Sequence, residues 1–273
     1  MEHSLSPALH HAAFAALGLD YAYVPLPVAP DHVGDAVRGL RALGFRGANV
    51  TIPHKGAVLR HLDWLERDAA LAEAVNTIVV EDDGTLRGYD TDIAGFARAL
   101  EEVVGGAEGG APPLPPGTPA LILGAGGAAR AAALVLARLG ASLTVVNRTR
   151  ERAARLADLI GSGVPGSTVA VRTPDDLRDA LVTAQRVIVN ATSLGMAGAG
   201  KVPRGLADNV IAGQVVVDFV YTSGLTDLLA QAQAQGATIV DGLSVLVWQA
   251  AAAFELWTGV QAPVEAMCRA VGG

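Results

Sequence analysis

The sequence predicts an α/β protein with two domains: an N-terminal domain with a mixed sheet, and a second domain with a doubly wound parallel sheet. At 273 residues the chain is long enough for two domains of typical size. Because 51% of the residues are hydrophobic and only 4% are aromatic, the core must consist of Ala, Val and Leu, which suits closely packed α/β layers. A Gly/Pro-rich connection at 103–119 has no periodicity and separates residues 1–102 from residues 120–241.

Strands and helices alternate in residues 1–102. Apolar patterns predict a strand at 21–28, a helix from Val33 to about Gly44, a strand at 47–52 and a helix from Ala57 to about Ala72. Two further apolar runs, 75–80 and 85–89, flank Asp82-Asp83-Gly84, which is typical of a hairpin. This order predicts a mixed sheet with helices around it.

The second domain begins with a strand–helix–strand unit. Residues 119–148 contain a buried apolar strand, a glycine turn, an Ala-rich helix that stops at Gly140, and another strand. Three more short apolar strands follow within 186–193, 214–221 and 237–242, each before turn or helix signals. We therefore expect a doubly wound parallel sheet.

The glycine turn has the pattern of a dinucleotide site. Gly124, Ala125, Gly126, Gly127, Ala128 and Ala129 match G-x-G-x-x-G/A with the small residue Ala129 at the third position. The first glycine permits the tight turn, the second lets the backbone approach a pyrophosphate, and the anion lies on the helix N-terminus. Because this pattern lies between a strand and a helix, it predicts a Rossmann-like dinucleotide-binding domain.

The end of the next strand indicates which dinucleotide is bound. An NAD-specific site usually has an acidic residue there, whereas this chain has Asn147, Arg148 and Thr149, followed by Arg152. A guanidinium pairs with a ribose phosphate, so the segment favours NADP. Solvation of an exposed side chain explains Arg152 equally well. It explains Arg148 less well, because a cation near a helix N-terminus is unfavourable unless it meets an anion.

Polar residues in the first domain lie where chemistry could occur. Lys55 follows Pro53 in what reads as the first turn of a helix, an unfavourable place for a positive charge. Asp92 precedes an apolar helix, where it could equally be an N-cap, and Asn76 begins a strand, where Asn is uncommon. Ser4 and Ser6 precede another helix, and an N-cap role for Ser6 leaves Ser4 without a function.

Composition excludes several classes of function. The net charge of −7 argues against nucleic acid or an anionic membrane as the main partner. One cysteine, no signal-peptide pattern and no apolar run of membrane-spanning length favour a cytoplasmic protein. The six histidines show no metal-ligand spacing, so no metal is expected.

Nearly the whole chain resembles the shikimate dehydrogenase family. The resemblance rests on HSLSP, NVTIPHK, AVNT, DTD, GAGGAARA, NRT, NATSLGM, DFVY and DGLSVLVWQ, in that order. It implies NADPH-dependent reversible reduction of 3-dehydroshikimate to shikimate, in the biosynthesis of aromatic amino acids. It also implies an N-terminal mixed-sheet α/β substrate domain, completed by helices from 242–273, a Rossmann-like doubly wound NADP-binding domain, and a monomer or homodimer.

The resemblance assigns roles residue by residue. Lys55 and Asp92 match the catalytic pair. Ser4 and Ser6 match hydroxyls that hold the substrate carboxylate, with a contribution from Tyr221. Thr51, Asn76 and Gln249 match residues that bind ring hydroxyls. The cofactor set comprises Gly124 to Ala129, Asn147, Arg148, Thr149, Arg152, Thr192, Met196 and Gly242.

The chain departs from the family pattern at four places. Asp90 stands where Asn is usual, Tyr221 lacks the Asn-Pro that commonly follows, and Ser244 and Val245 replace Gly and Met. A strand that normally precedes HSLSP is missing, so we expect the natural start to lie upstream. The alternatives are a dehydrogenase acting on quinate or an aminoshikimate, or an NADP-binding homologue that has lost activity.

Overall fold

The computed structural model describes residues 4–105, 114–196 and 198–272. The chain forms two compact units. Unit 1 consists of Met1–Gly95 and Leu246–Gly273, and unit 2 of Phe96–Val245. Residues 106–113 of the expected Gly/Pro-rich connection at 103–119 lie outside the described residues. The expectation of an upstream start stays a prediction.

Both units contain helices and strands. The helices are α1 (Ser6–Leu17), α2 (Val33–Ala42), α3 (Arg67–Ala72), α4 (Thr91–Val104), α5 (Gly127–Arg138), α6 (Arg150–Gly163), α7 (Asp179–Thr183), α8 (Arg204–Ala207), α9 (Asp227–Ala234), α10 (Gly242–Thr258) and α11 (Val264–Val271). The strands are β1 (Gly47–Asn49), β2 (Trp64–Leu65), β3 (Thr77–Val80), β4 (Leu86–Tyr89), β5 (Pro119–Leu123), β6 (Ser142–Val146), β7 (Val169–Arg172), β8 (Val187–Asn190), β9 (Val215–Asp218) and β10 (Thr238–Val240). Among the described helices, none is long and apolar enough to cross a membrane.

The sheet of unit 1 is mixed, as the sequence predicts. Its order is β1-β3-β4-β2, with β3 antiparallel to both neighbours and β2 parallel to β4. The turn between β3 and β4 contains Gly84 with φ +84°, a left-handed conformation that glycine adopts without strain. Strand β3 lies in the middle of the sheet, and all four of its residues are buried. This central strand positions the residues at its N-terminal end.

The strand predicted at 21–28 is wrong, because this segment has no regular secondary structure. Pro25 and Pro27 lack the N–H groups that a strand would donate to a neighbour. The N–H of Tyr23 donates instead to Nε2 of His11, at 3.0 Å. Tyr21, Val24 and Leu26 are exposed, so the apolar pattern of this segment predicted neither a pairing partner nor burial correctly.

The single helix predicted from Ala57 to Ala72 is also wrong. This stretch forms a short 3₁₀ turn, strand β2 and helix α3 in succession. Helix α3 begins where the Glu66 carboxylate accepts hydrogen bonds from the N–H groups of Asp68 (2.7 Å) and Ala69 (3.1 Å). Glu is an unusual N-cap, so the sequence did not indicate the boundary. Ser6 is likewise not the N-cap of α1; Leu5 occupies that position without a side-chain cap.

An aromatic cluster joins α1 to α10 within unit 1. The His10 ring stacks on Tyr23 with centroids 4.5 Å apart and lies 5.2 Å from the Trp257 ring. The indole N–H of Trp257 donates to the Ile78 carbonyl at 2.9 Å. A Cβ at Gly47 would lie 2.2 Å from that carbonyl oxygen and 2.2 Å from the indole nitrogen. Glycine at position 47 is therefore what lets Trp257 reach the sheet.

Unit 2 contains six parallel strands in the order β10-β9-β8-β5-β6-β7. Counted from β5, this is the 3-2-1-4-5-6 order of a doubly wound dinucleotide-binding sheet, and the predicted fold class is confirmed. The three valines of β9 are at most 1% exposed, as expected for a strand covered on both faces. Strand β7 was not predicted, because it lies at the edge and its residues are only partly buried.

Candidate active site

A buried ion pair forms the centre of the candidate site in unit 1. Nζ of Lys55 donates to Oδ2 of Asp92, and the two side chains are 19% and 11% exposed. The Lys55 carbonyl accepts the N–H of Val75 at 2.9 Å, which fixes the lysine beside the start of β3. Asp92 lies in the first turn of α4. The pair therefore joins two separate segments of the chain.

The expected helix start at Lys55 is wrong. Lys55 lies in an irregular turn after β1 and not in an α-helix. The argument from an unfavourable helix end therefore does not apply. What explains a buried lysine here is the neighbouring carboxylate, because a charge taken out of water needs a partner of opposite sign.

Asn76 connects the ion pair to α10. Its Nδ2 group donates to Oδ1 of Asp92 at 2.8 Å and to Oε1 of Gln249 at 3.2 Å. Its Oδ1 accepts the N–H of Thr91 at 2.7 Å, so the side-chain amide is held at both ends. Both Asn76 and Gln249 are buried. The structure thus brings together Lys55, Asp92, Asn76 and Gln249, four of the residues singled out from the sequence.

Sequence reasoning missed the polar residues that support Asn76. The hydroxyls of Thr77 and Thr91 both donate to Asn76 Oδ1 at 3.0 Å. Nδ2 of Asn49 donates to the Thr77 hydroxyl at 3.0 Å, and the Tyr23 hydroxyl donates to Asn49 Oδ1 at 2.9 Å. The available signal was polar residues inside apolar strands, as with Asn49 in GANVTI. These bonds fix the orientation of the Asn76 amide.

Electrostatics favour the charged form of Lys55. Burial acts to lower the pKa of Lys55, but the nearby carboxylates of Asp92 and Asp90 outweigh it and raise that pKa above its ordinary value. Burial, together with the like charge of Asp92, raises the pKa of the Asp90 carboxyl well above its ordinary value. The pair is therefore a lysine ammonium held against a carboxylate, next to a second carboxyl group.

Three further residues expected at the substrate, Ser4, Ser6 and Thr51, lie elsewhere in unit 1. Ser4 and Ser6 adjoin at the start of α1, where the Ser6 N–H donates to the Ser4 hydroxyl at 3.4 Å. Both are partly buried, so each hydroxyl keeps some access to solvent. Thr51 is exposed two residues after β1, and its carbonyl accepts the His54 N–H at 2.8 Å. Among the described residues, no side-chain hydrogen bond joins these three directly to the ion pair, and their contact with substrate stays a prediction.

In unit 2, the glycine turn joins β5 to α5 as expected. Gly124 has φ +117°, and a Cβ there would lie 2.9 Å from the Ala191 carbonyl oxygen. A Cβ at Gly126 would meet nothing within 4 Å, so space is open beside the N-terminus of α5. Ala129 is fully buried, as close helix–strand packing requires. Free N–H groups at this helix start suit a pyrophosphate.

The segment after β6 presents arginine to solvent. Nδ2 of Asn147 donates to the Thr149 carbonyl at 2.8 Å, which closes a turn before α6. Arg148 and Arg152 are both exposed. An exposed guanidinium at this strand end is available to a ribose phosphate. This placement agrees with the chemistry expected for NADP.

Asp218 holds the loops that carry Thr192 and Tyr221. Its carboxylate accepts from the Asn190 amide at 2.8 Å, the Val220 N–H at 3.0 Å and the Thr226 hydroxyl at 2.7 Å. Oδ1 of Asn190 in turn accepts the Thr192 hydroxyl at 2.7 Å.

The other residues expected near the nicotinamide or the substrate carboxylate are placed as follows. Met196 is exposed in the loop after β8, and Tyr221 is 37% exposed after β9. Burial raises the pKa of Tyr221 above its ordinary value, so its hydroxyl keeps its proton. A Cβ at Gly242 would lie 2.6 Å from the Phe219 carbonyl oxygen, so glycine lets α10 start against that backbone. Their contacts with ligands stay predictions.

The glycine turn, the sheet order and a buried lysine–carboxylate pair define the class of nicotinamide-dependent oxidoreductases. Family comparison then gives the family. Models described as shikimate dehydrogenase substrate binding domain, shikimate / quinate 5-dehydrogenase and shikimate 5'-dehydrogenase C-terminal domain match residues 1–78, 116–219 and 242–271. The chain belongs to the shikimate dehydrogenase family, and the predicted family is confirmed.

Individual relatives match almost the full chain. A shikimate dehydrogenase (NADP(+)) from Moorella thermoacetica is 47% identical over 271 residues, which cover 98% of this chain and 88% of the relative. A crystal structure of shikimate dehydrogenase in complex with NADP+ has a TM-score of 0.88 at 38% identity, covering 99% of this chain and 91% of that chain. Shikimate 5-dehydrogenase from Thermus thermophilus, in complex with NADP(H) and shikimate, has a TM-score of 0.82 at 35% identity, covering 99% and 95%.

Proposed function

We propose that this protein is an NADP-dependent shikimate dehydrogenase that reversibly reduces 3-dehydroshikimate to shikimate. The observation that carries the proposal is the Lys55–Asp92 pair, held by Asn76 and Gln249, in a chain whose relatives are named shikimate dehydrogenase (NADP(+)). A pair of this kind can hold and release a proton next to a carbonyl. The proposal includes a cytoplasmic location. It also includes a monomer or homodimer, and light scattering of the purified protein measures this oligomeric state.

The residues of unit 2 fit the cofactor. Open space beside Gly126 and the free N–H groups at the start of α5 suit a pyrophosphate, and Arg148 suits a ribose phosphate. The proposed cofactor set is completed by Asn147, Thr149, Arg152, Thr192, Met196 and Gly242. When bound, NADPH supplies the hydride that reduces the ketone carbon.

The ion pair handles the proton. Reduction of a ketone to an alcohol adds one proton to the carbonyl oxygen, and the Lys55–Asp92 pair holds that proton on Nζ. Oδ2 of Asp92 keeps Nζ in place, and Asn76 holds the other carboxylate oxygen. The positive charge also stabilises the oxyanion as it forms. In the reverse direction the same pair accepts the proton of the alcohol.

Side-chain amides suit the ring hydroxyls of the substrate. Gln249 is held by its bonds to Asn76 and to the Leu246 carbonyl, and the second N–H of its amide can meet a ring hydroxyl without reorganisation. Both N–H groups of Asn76 already donate to Asp92 and Gln249, so Asn76 would exchange one of these bonds for the substrate. Buried polar groups left unpaired are unfavourable, so substrates that lack a matching hydroxyl bind less well. Ser4, Ser6 and Thr51 are the further hydroxyls of unit 1 proposed to bind substrate.

The alternatives are not favoured. Dehydrogenases acting on quinate or an aminoshikimate share the fold, but the curated relatives at 42–47% identity carry the name shikimate dehydrogenase (NADP(+)). Loss of activity would leave a buried Lys55 without a chemical use, whereas the pair and its supporting bonds are intact.

The direct test follows the absorbance band of NADPH. The purified protein is mixed with shikimate and NADP+, and in separate cuvettes with quinate and NADP+ and with shikimate and NAD+. We expect the band to grow fastest with shikimate and NADP+, and to disappear when 3-dehydroshikimate and NADPH are supplied. No turnover of shikimate with either cofactor would reject the proposal, and faster turnover of quinate would reassign the substrate.

A further inference from the structure

Asp90 is a buried carboxyl group that the proposed mechanism does not use. It directly precedes α4, and its Oδ1 accepts the N–H of Asp92 at 3.2 Å, the bond of an N-cap residue. The residue is only 7% exposed. Its other oxygen, Oδ2, is buried and has no hydrogen-bond partner among the described residues.

Helix capping does not account for the second oxygen. An N-cap needs one acceptor, and Asn or Ser serves as well as Asp. A buried carboxylate oxygen without a donor is unfavourable unless the group takes up a proton or a cation lies nearby. Three charged groups act on Asp90: Lys55 from the turn after β1, Asp92 on α4, and Glu66 at the start of α3. One cation thus faces several carboxyl groups.

We propose that Asp90 is a positioning residue of the Lys55–Asp92 pair: a second carboxyl group whose change of charge sets the pH at which Lys55 loses its proton. The use of turnover to test this rests on the proposed function. The assignment itself rests on the burial of Asp90, its bond to the Asp92 N–H and its unpartnered oxygen.

Asp90 affects the protonation of Lys55 in two steps. With Asp90 protonated, the charges of Lys55 and Asp92 cancel and the buried group is neutral. Burial and Asp92 hold the pKa of Asp90 well above that of an ordinary carboxyl, so its proton leaves at a pH where the other carboxylates are already ionised. The new negative charge then strengthens the hold of Lys55 on its own proton, which agrees with the upward effect of Asp90 on the pKa of Lys55.

The Asp90→Asn substitution removes the charge of Asp90 while keeping its role as the N-cap of α4. Asparagine keeps the shape and an oxygen that accepts the Asp92 N–H, but it removes the ionisable group. Without the negative charge, the pKa of Lys55 falls, and the ammonium needed to reduce 3-dehydroshikimate is lost at lower pH. We expect the alkaline limb of the kcat profile to move down by about one pH unit, the usual effect of a neighbouring buried charge. Asp20→Asn, at an exposed position, removes the same charge and should not move the limb.

A second measurement does not depend on turnover. The chain contains two lysines, Lys55 and Lys201, so protein grown with ¹³C-labelled lysine gives one Cε signal from each. The Lys55 signal should titrate about one pH unit lower in Asp90→Asn than in the unaltered protein. The signal of Lys201, which lies at the surface in an ion pair with Asp227, serves as the internal reference.

The outcomes separate the two proposals. An unmoved Lys55 titration in Asp90→Asn overturns the role of Asp90, whether or not the protein turns over shikimate. An alkaline limb of the kcat profile that does not move in Asp90→Asn also overturns it, whatever the value of kcat, because the variant keeps the helix cap and loses only the ionisable group. A protein that does not oxidise shikimate but shows the shifted Lys55 titration would keep the coupling and reject the proposed function.

Discussion

Replacing Lys55 by methionine tests the proposed proton donor most directly. Methionine keeps most of the aliphatic stem and its packing but removes the ammonium group. Asp92 still accepts the Asn76 amide at 2.8 Å, so its carboxylate keeps one of its two fixed bonds. General acid–base catalysis contributes about 10² to 10⁴ in rate, or about 3 to 5 kcal/mol of barrier. We expect kcat to fall by that factor.

Substrate binding should change much less than turnover. Asn76 and Gln249 bond to each other at 3.2 Å without help from Lys55, so the amides proposed to bind ring hydroxyls stay in place. Removal of the ammonium also leaves the Asp92 carboxylate buried without its cation, which lowers stability by roughly 3–5 kcal/mol at most. Circular dichroism at the assay temperature therefore has to show that the variant is folded.

The assay is shikimate oxidation with saturating NADP+, together with calorimetric titration of shikimate into the cofactor-free enzyme, in which no turnover can occur. The matched control is Lys201→Met, which removes the other lysine of the chain from an exposed ion pair and should keep kcat. If folded Lys55→Met kept kcat within a factor of about two, far from the loss that an acid–base group implies, the assignment of Lys55 would be wrong.

Three further outcomes follow from single contacts. Arg148→Ala should weaken NADPH binding by about one to two decades while NADH binding barely changes, because a charged hydrogen bond contributes roughly 1.5–3 kcal/mol. Fluorescence titration with both cofactors measures the two affinities. Equal losses of affinity for NADPH and NADH would contradict the prediction. Gly47→Ala should lower the free energy of unfolding by about 2–4 kcal/mol, because its Cβ would separate the Trp257 indole from the Ile78 carbonyl. Urea denaturation measures this loss, with Gly39→Ala as the control. Gly39 is a helical site with open space around it, so that substitution should be neutral or stabilising. Asp218→Ala should cost about 3–5 kcal/mol in the same experiment, because three buried donors lose their acceptor, and an unchanged midpoint would refute that role.

The parallel sheet could be predicted from the sequence because its signals are local. The β5 run PALIL, the glycine turn and the Ala-rich α5 each specify their own conformation, and the strands of this sheet are continuous apolar runs. Strand β7 was not predicted from the sequence, because an edge strand buries only part of its surface and its apolar pattern is weaker.

The mixed sheet was harder because its irregular parts depend on distant residues. The segment 21–28 has the composition of a strand, but two prolines remove donors and His11 takes the Tyr23 N–H. The turn that carries Lys55 is fixed by a backbone bond to Val75, twenty residues away in the chain. Local periodicity contains no information about such partners.

Part of the candidate site could be predicted from the sequence, and part depends on contacts that only the fold creates. Lys55, Asp92, Asn76 and Gln249 were identified by residue type and by the family resemblance, and the structure brings them together. The orientation of Asn76 depends on hydroxyls of Thr residues that look ordinary in the sequence. Only the three-dimensional arrangement shows which oxygen of Asp90 is left without a donor.

The uneven distribution of tryptophan gives the protein a built-in optical label. Trp64, Trp248 and Trp257 all belong to unit 1, and the sequence of unit 2 contains none. Intrinsic emission during denaturation therefore monitors the mixed-sheet unit alone, whereas far-ultraviolet ellipticity sums over both units. Coincident transitions would mean that the two units melt as one cooperative block, and an emission change at a different denaturant concentration would reveal a half-unfolded species.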